Sequence, residues 1–322
     1  MFTQNYEIST PVLHNERYSS MRTNFKLGDI TYDFNSEALR QYGLNGASFC
    51  FFVNWDVNYA SGVIDPHIWI KKELNIWDNG VVDISAPSFS SKFLTCEPLN
   101  AVRNKTTFFN NYGFELSYTI IKKTPVRRLA NDEDVIIELK PLENGFQTSI
   151  INYGQLKNLI VSYSGRPIRM GKPLNYYETE LEKILSMDTA GYSAPFPGDC
   201  DLLLYDDNMK CKAIIEFKKR TSFGANISIA NQTISNYMIH DSLKYRRLNI
   251  LRSHLERHDG STIPLLVVYY SVANDSDDNK IKIEAVSHTL QSEARDYFEL
   301  PAFCDSRTSH SLILQHIMPF IN

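Results

Sequence analysis

The stretch PGDCDLLLYDDNMKCKAIIEFKKR, from Pro197 to Arg220, constrains the fold more than any other part of the chain. Two short apolar runs flank DDNMK, a cluster of turn-forming residues, so the segment reads as a β-hairpin. Side chains two apart on a strand share a face, so Glu216 and Lys218 project together while Phe217 points the other way. Cross-strand partners in an antiparallel hairpin have residue numbers with a constant sum. Setting Asp201 opposite Glu216 makes that sum 417 and centres the turn between Asn208 and Met209, inside DDNMK. A slip of one residue would put the two carboxylates on opposite faces. With the expected register, two carboxylates and an ammonium meet at one end of the hairpin, a donor set suited to a divalent cation beside a phosphate. Asp199, two residues earlier on the same strand face, is the rival for Asp201, which is preferred because it directly precedes the apolar run. The plainer reading of the hairpin is a surface element whose charges are solvated.

A chain of 322 residues has room for two domains, and 43% apolar content is ample for packed cores. The net charge of −4 excludes attachment to nucleic acid through a blanket positive field, so a polyanion must meet a local patch. MFTQNYEIST lacks the basic and apolar regions of a signal peptide, and no apolar run approaches the roughly 18 residues that span a membrane. The expectation is a cytoplasmic protein with no membrane partner. The cysteines at 50, 96, 200, 211 and 304 are odd in number, scattered and without a CxxC, which fits reduced thiols better than a disulfide framework.

Residues 1 to about 46 are polar and weakly periodic. From Ala47 to about Gly165 the runs SFCFFVNWDV, HIWIKKELNIW, GVVDISA, GFELSYTIIK, DVIIELKPL and NLIVSYS are β-branched and aromatic, separated by Asn, Asp, Gly and Pro. They predict a β-rich domain over 1–165, sandwich or barrel-like, serving recognition or regulation. No internal repeat is visible. The seam falls at SGRPIRMGK, and a second domain over 172–322 reads as helix, hairpin, helix and strands, which makes the whole chain α/β (α+β).

In that second domain LNYYETELEKILSM is a helix with Asn175 as its N-cap. Leu174, Tyr177, Leu181, Ile184 and Leu185 form its apolar stripe, and Glu178 lies nearest to it, with Glu180 and Glu182 further round. Glu178 is therefore the carboxylate that points toward the hairpin, against the plainer reading of acids enriched early in a surface helix. A long helix follows from about Ile227 to Leu255, broken near His240-Asp241. PLLVVYYSV suits a strand buried on both faces, KIKIEAVSH alternates as a further strand, and SHSLILQHIM ends the chain as a short helix or strand.

A helical Glu, an Asp leading an apolar strand, a Glu-x-Lys closing the next strand and then a helix resemble the PD-(D/E)XK nuclease superfamily, over residues 172 to 290. The opening ETELEKIL is similar to that of the Holliday-junction resolvases in this superfamily, and Gln232 with Tyr237 is similar to the Gln-Tyr motif of RecB-type nucleases, with one residue more between them. The resemblance implies a restriction-endonuclease-like αβββαβ fold for the second domain. It implies Mg²⁺, or Mn²⁺, held by Asp201, Glu216 and the Phe217 backbone carbonyl, with Glu178 on a metal-bound water or a second ion. Lys218 would orient or deprotonate the attacking water and stabilise charge on the phosphate, and Gln232 would assist. The activity implied is a DNA endonuclease, a hydrolase of phosphodiester bonds of restriction or other anti-phage defence type, with RNA as an alternative substrate. A homodimer would fit cutting of both strands. Two further readings stand beside it: a nuclease gated by a ligand or partner on the first domain, and a non-catalytic nucleic-acid-binding protein that keeps the scaffold.

Local charge agrees with a polyanion partner. From Lys210 to Arg257 there are ten Lys or Arg against three acids, a net +7 inside a chain of net −4. Lys219, Arg220, Lys244, Arg246 and Arg247 are the candidates for phosphate contact, and KYRRL interleaves an aromatic with the cations. A solvated helix face is the plainer alternative. His254 and His258 stand four apart on a helix without a third zinc ligand, and Asp206-Asp207-Asn208 lacks the Gly and distal Glu of a calcium loop and is a turn.

Overall fold

The computed structural model describes residues 36–56, 61–74, 84, 87–122, 135–164, 197–220, 227–271, 276–277, 279–301 and 306–321. They hold ten strands and six α-helices, a mixed α/β protein that falls into two compact units. One unit combines the chain up to Ser48 with Cys200–Asn322, and the other is Phe49–Asp199. No helix among the described residues is long and apolar enough to cross a membrane. The predicted helix carrying Glu178, residues 1–35 of the polar amino-terminal stretch and nearly all of GVVDISA lie outside the described residues.

The Phe49–Asp199 unit takes most of β1 (Leu44–Trp55), then β2 (Gly62–Leu74), α2 (Pro87–Cys96), α3 (Leu99–Asn111), β3 (Glu115–Lys122), β4 (Val135–Leu142), β5 (Gly145–Asn152) and α4 (Tyr153–Ser164). Helix α1 (Ser36–Gln41) precedes β1. The strands lie in the order β1-β2-β3-β4-β5, antiparallel except for the parallel pair β2 and β3. A parallel pair needs a crossover, and α2 and α3 supply it. The expected sandwich or barrel is therefore replaced by a mixed sheet with helices. NLIVSYS is not a strand but the body of α4. Tyr153, Leu156, Ile160 and Ser164 are its buried positions, at helical spacing. Asn152 and Gln155 cap its start reciprocally, each side chain accepting the other's main-chain N–H at 2.8 Å. A short apolar run does not distinguish strand from helix, and the Asn-x-x-Gln cap was the deciding signal.

One face of this sheet packs under α4 through Cys50, Phe52, Trp69 and Ile136. On the other face the ring of Phe49 meets Phe109 of α3 edge-on at 4.9 Å, and Tyr118 meets Phe93 of α2 at 5.1 Å. The same face buries an ion triad. Glu97, in the α2–α3 junction, pairs with Lys72 Nζ at 2.5 Å and with Lys105 Nζ. Burial pushes the Glu97 carboxyl up, and the two ammonium groups outweigh it to bring its pKa down to about 2.

The other unit contains α1, the start of β1, most of β6 (Gly198–Asp206), β7 (Cys211–Arg220), α5 (Ile234–Asp259), β8 (Leu265–Ser271), β9 (Lys280–Val286), β10 (Ser292–Glu299) and α6 (Ser306–Ile321). The order is β6-β7-β8-β9-β10, with β7 and β8 parallel and the other pairs antiparallel. Beside β6, Ser48 Oγ donates to the Cys200 carbonyl at 3.1 Å. Leu202, Leu204, Ile215, Phe217, Leu266, Val268, Ile281 and Ile283 make one face of the sheet apolar. Ile313, Leu314 and Ile317 of α6 and Leu39 of α1 cover it. SHSLILQHIM is thus a helix, and PLLVVYYSV is the buried strand expected, every residue of β8 being enclosed.

Helix α5 crosses the opposite face. It runs unbroken past His240-Asp241, where a break was expected, because nothing there competes with the helix: no Gly or Pro interrupts it. Asn236 Oδ1 accepts the Thr233 N–H at its start, and Gly260, at φ 67°, ends it with an N–H to the Glu256 carbonyl.

Glu97 links stability to pH. Its folded pKa lies below the unfolded value near 4.5, so its contribution is complete above that pH and is lost as pH falls toward 2. Glu97→Gln leaves two buried ammonium groups without their acid and should cost about 3 kcal/mol in urea denaturation at pH 7, with the difference from wild type shrinking below pH 4.

Candidate active site

The hairpin register decides which side chains meet. Leu202 pairs with Ile215, Leu203 with Ile214 and Leu204 with Ala213, each pair summing to 417 as expected. The ladder shifts only beyond Leu204, where Met209 takes a φ of 61° in the turn and Asp206 Oδ1 accepts the Lys210 N–H at 2.9 Å. At the open end Asp201 Oδ2 accepts the main-chain N–H of Phe217 at 2.8 Å, which fixes this carboxylate beside the Glu216 position. Asp201 and Glu216 are both completely buried. Asp199 belongs elsewhere: its Oδ1 lies 3.9 Å from the Cys50 thiol.

Two lysines balance the two carboxylates. Lys244 Nζ lies 2.7 Å from Glu216 Oε1 and 3.5 Å from Asp201 Oδ1, so one ammonium bridges both acids. Lys218 Nζ lies 3.2 Å from the same Glu216 oxygen and 2.7 Å from Asp241 Oδ2. Burial works to raise the Glu216 pKa, while Lys244 and then Lys218 outweigh it and hold the carboxyl below its usual range. The Asp201 side chain also hydrogen-bonds to Glu216 and helps to lower its pKa, and no further donor among the described residues meets the buried Glu216 Oε2.

Helix α5 supplies the remaining wall. Tyr237, Asp241, Lys244, Tyr245 and Leu248 recur at intervals of three and four and so share one face. The Lys218 ammonium sits 5.1 Å from the Tyr237 ring centre and 5.4 Å from that of Tyr245. Burial, with the Asp241 charge adding to it, raises the Tyr237 hydroxyl to about 12, and burial raises Tyr245 further. These phenols stay protonated and form the wall, and Tyr237 also acts as a donor. Tyr237 donates to Gln232 Oε1 at 2.7 Å, and Gln232 Nε2 donates to the Ile227 carbonyl at 3.2 Å. The Gln-Tyr pair is thus joined directly, and it reaches Lys218 through the tyrosine ring.

A further acid lies on the same sheet face. Glu284, on β9, accepts from the Ile234 N–H at 2.8 Å and from the Tyr269 hydroxyl at 2.5 Å. It takes up a main-chain donor at the start of α5 and so anchors the helix that carries Lys244.

The basic run divides differently from its sequence pattern. Arg246 is exposed, and Lys219 and Lys244 are half-buried. Arg220 and Arg247, expected at phosphates, are buried instead. The Arg220 guanidinium is held by the Ile227 carbonyl at 2.9 Å and by Ser271 Oγ at 3.2 Å, which fastens the chain leaving β7. Arg252 is also internal, donating to the carbonyls of Val286 and Ser287 at 2.7 Å each. His254 and His258 lie side by side, with ring centres 4.7 Å apart.

Asp241, Tyr245 and Glu284 were not expected, and Lys244 was expected only at a phosphate. The helical spacing 237, 241, 244, 245 was the available signal, hidden within a run that reads as general positive charge. Among the described residues no three His, Cys, Asp or Glu side chains converge as a metal cluster. No protein-family model matches the chain, and no curated protein or solved structure matches it.

A double-mutant cycle measures the central pair. Glu216→Gln and Lys244→Met, alone and combined, should show a coupling of about 1–2 kcal/mol in urea denaturation. Simple additivity would mean that Lys244 does not neutralise Glu216.

Proposed function

We propose that the chain is a metal-dependent phosphodiesterase acting on DNA, with its catalytic centre at Asp201, Glu216 and Lys218 and a restriction-endonuclease-like fold around it. The observation that carries this reading is the pair of fully buried carboxylates on adjacent strands, bridged by one ammonium, in which Glu216 Oε2 meets no donor among the described residues beyond its neighbour Asp201. Two acids at this spacing fit a small divalent cation that keeps most of its waters. Asp201, Glu216 and the Phe217 carbonyl would hold Mg²⁺ or Mn²⁺. The ion, when bound, supplies Lewis-acid polarisation of the phosphate and a more acidic water.

The chain's own groups do the rest. Lys218, fixed by Glu216 and Asp241, orients the attacking water and offsets charge on the phosphate oxygens. The water oxygen bonds to phosphorus, the ester P–O bond breaks, the leaving oxygen takes a proton, and the water gives one up to solvent. Lys244, freed from the carboxylates when a cation replaces it, has a flexible stem with which to meet a phosphate. Arg246 and Lys219 would contact the backbone further out. The proposed assignment of Glu178 to a metal-bound water, a role in anti-phage defence and a cytoplasmic setting extend the same reading.

A second reading rests on Lys244. Its ammonium already neutralises both acids, as in a non-catalytic scaffold that binds nucleic acid without cutting it.

Calcium, which occupies Mg²⁺-type sites, separates the two readings. Under the first, Ca²⁺ raises the melting temperature of the wild type, and Asp201→Asn abolishes that rise. Supercoiled plasmid is cut with Mg²⁺ or Mn²⁺, and Lys218→Ala lowers the rate by about 10² or more. DNA retained but never cut, together with indifference to Ca²⁺, would establish the scaffold reading.

A further inference from the structure

Each unit, taken by itself, is built to the same plan. The first two strands are antiparallel, a helical crossover leads to a third strand parallel to the second, and the fourth and fifth follow antiparallel. A closing helix, α4 or α6, then packs on the face away from the crossover.

Hydrogen-bonded ladders align the two plans residue by residue. The hairpin ladders open at Leu202–Ile215 and at Cys50–Trp69, and the parallel ladders end at Arg220–Ser271 and at Leu74–Lys122. Both anchors give one correspondence, in which Glu216 matches Ile70 and Lys218 matches Lys72. Continuing across, Glu216–Val267–Glu284 matches Ile70–Tyr118–Leu139, and Lys218–Tyr269–Lys282 matches Lys72–Ile120–Ile137. The same step sets Asp201 against Phe49.

The packing follows the same correspondence. Leu202, Leu204, Ile215 and Ile281 lie under α6, and their counterparts Cys50, Phe52, Trp69 and Ile136 lie under α4. The opposite face is roofed by the crossover helices in both units. There Lys244 of α5 meets Asp201, and Phe109 of α3 meets Phe49. Even the strand lysine keeps its kind of partner: Lys218 pairs with Asp241 of its crossover, Lys72 with Glu97 of its own. General α/β packing rules make a shared strand order common, but they do not set which residue of a strand faces which helix.

We propose that Phe49–Asp199 is a second copy of the fold that carries the candidate centre, with its own centre closed by Phe49, Ile70 and Leu139, so that one chain holds one strand-cutting centre and nicks duplex DNA. The closure rests on the structural correspondence, and the nicking rests on the phosphodiesterase reading. Hydrolysis at the one centre opens one P–O bond in one strand, and a second cut needs a second encounter or a second chain.

Two measurements on the full chain test the two parts separately. Lysine acylation of the folded protein, read by mass spectrometry, should modify Lys210 and Lys244 while Lys72 and Lys105 react at least about tenfold more slowly until urea unfolds the chain. Lys72 reacting as fast as Lys244 would mean an open second site and would overturn the closure. On supercoiled plasmid with Mn²⁺, at concentrations where sedimentation gives one chain per particle, open circles should accumulate before linear DNA. Linear DNA from the outset would overturn the single centre. No cutting at all would count against the phosphodiesterase reading, and the acylation pattern would still decide whether the second copy is closed.

Discussion

The bond from the Phe217 N–H to Asp201 Oδ2, 2.8 Å long at the open end of the β6–β7 ladder, is the contact on which the rest of the site depends. It locks a register in which Asp201 and Glu216 face the same helix. A strand slip of one residue would put Asp201 and Glu216 on opposite faces of the sheet and drive one of the two acids into the apolar layer under α6. Two buried carboxylates so close repel each other, and their desolvation is costly unless cations stand beside them. Lys244 and Lys218 meet that need. The cluster is therefore stable as it stands, yet Glu216 Oε2 meets no donor among the described residues beyond its neighbour Asp201. A cation could use that oxygen, and the two acids stand close enough together to share one.

Much of this was legible in the residues because it is local. The alternation in KAIIEFKK, the DDNMK turn and the constant-sum rule suffice to give the hairpin and its register. The continuous apolar run in PLLVVYY likewise gave a strand enclosed on both faces. The errors share one physical origin, which is that burial is decided by distant parts of the chain. The charge of Arg220, Arg247 and Arg252 reads as a surface feature, but their guanidinium stems are enclosed in the fold, and Arg220 and Arg252 are taken up by carbonyl groups. NLIVSYS has a strand's composition, and only the reciprocal Asn152–Gln155 cap reveals a helix. The predicted helix bearing Glu178 lies outside the described residues, so its part in the site rests on the sequence pattern and the resemblance.

The parallel construction of the two units was invisible in sequence for a related reason. Repeats are recognised by shared residue types, and here the corresponding positions have diverged in the property that matters most. Asp201, Glu216 and Glu284 stand where the other unit has Phe49, Ile70 and Leu139. A fold survives such exchange as long as each site remains either paired or apolar, and both solutions are present in one chain. The persistence of a lysine at both Lys218 and Lys72, each with an acid from its crossover, fits a polar pair that is easier to keep than to dismantle, since removing either partner strands a buried charge.

On the proposed reading the Asp201–Glu216 pair is a cation site and not a self-sufficient ion cluster. Anomalous diffraction from crystals grown with Mn²⁺ tests it most directly. A cation site gives a manganese peak bonded to carboxylate oxygens of Asp201 and Glu216, with the Lys244 ammonium displaced from between them and no peak beside Lys72 and Glu97. Lys244 still bridging the two acids at saturating Mn²⁺, with no peak there, would contradict it.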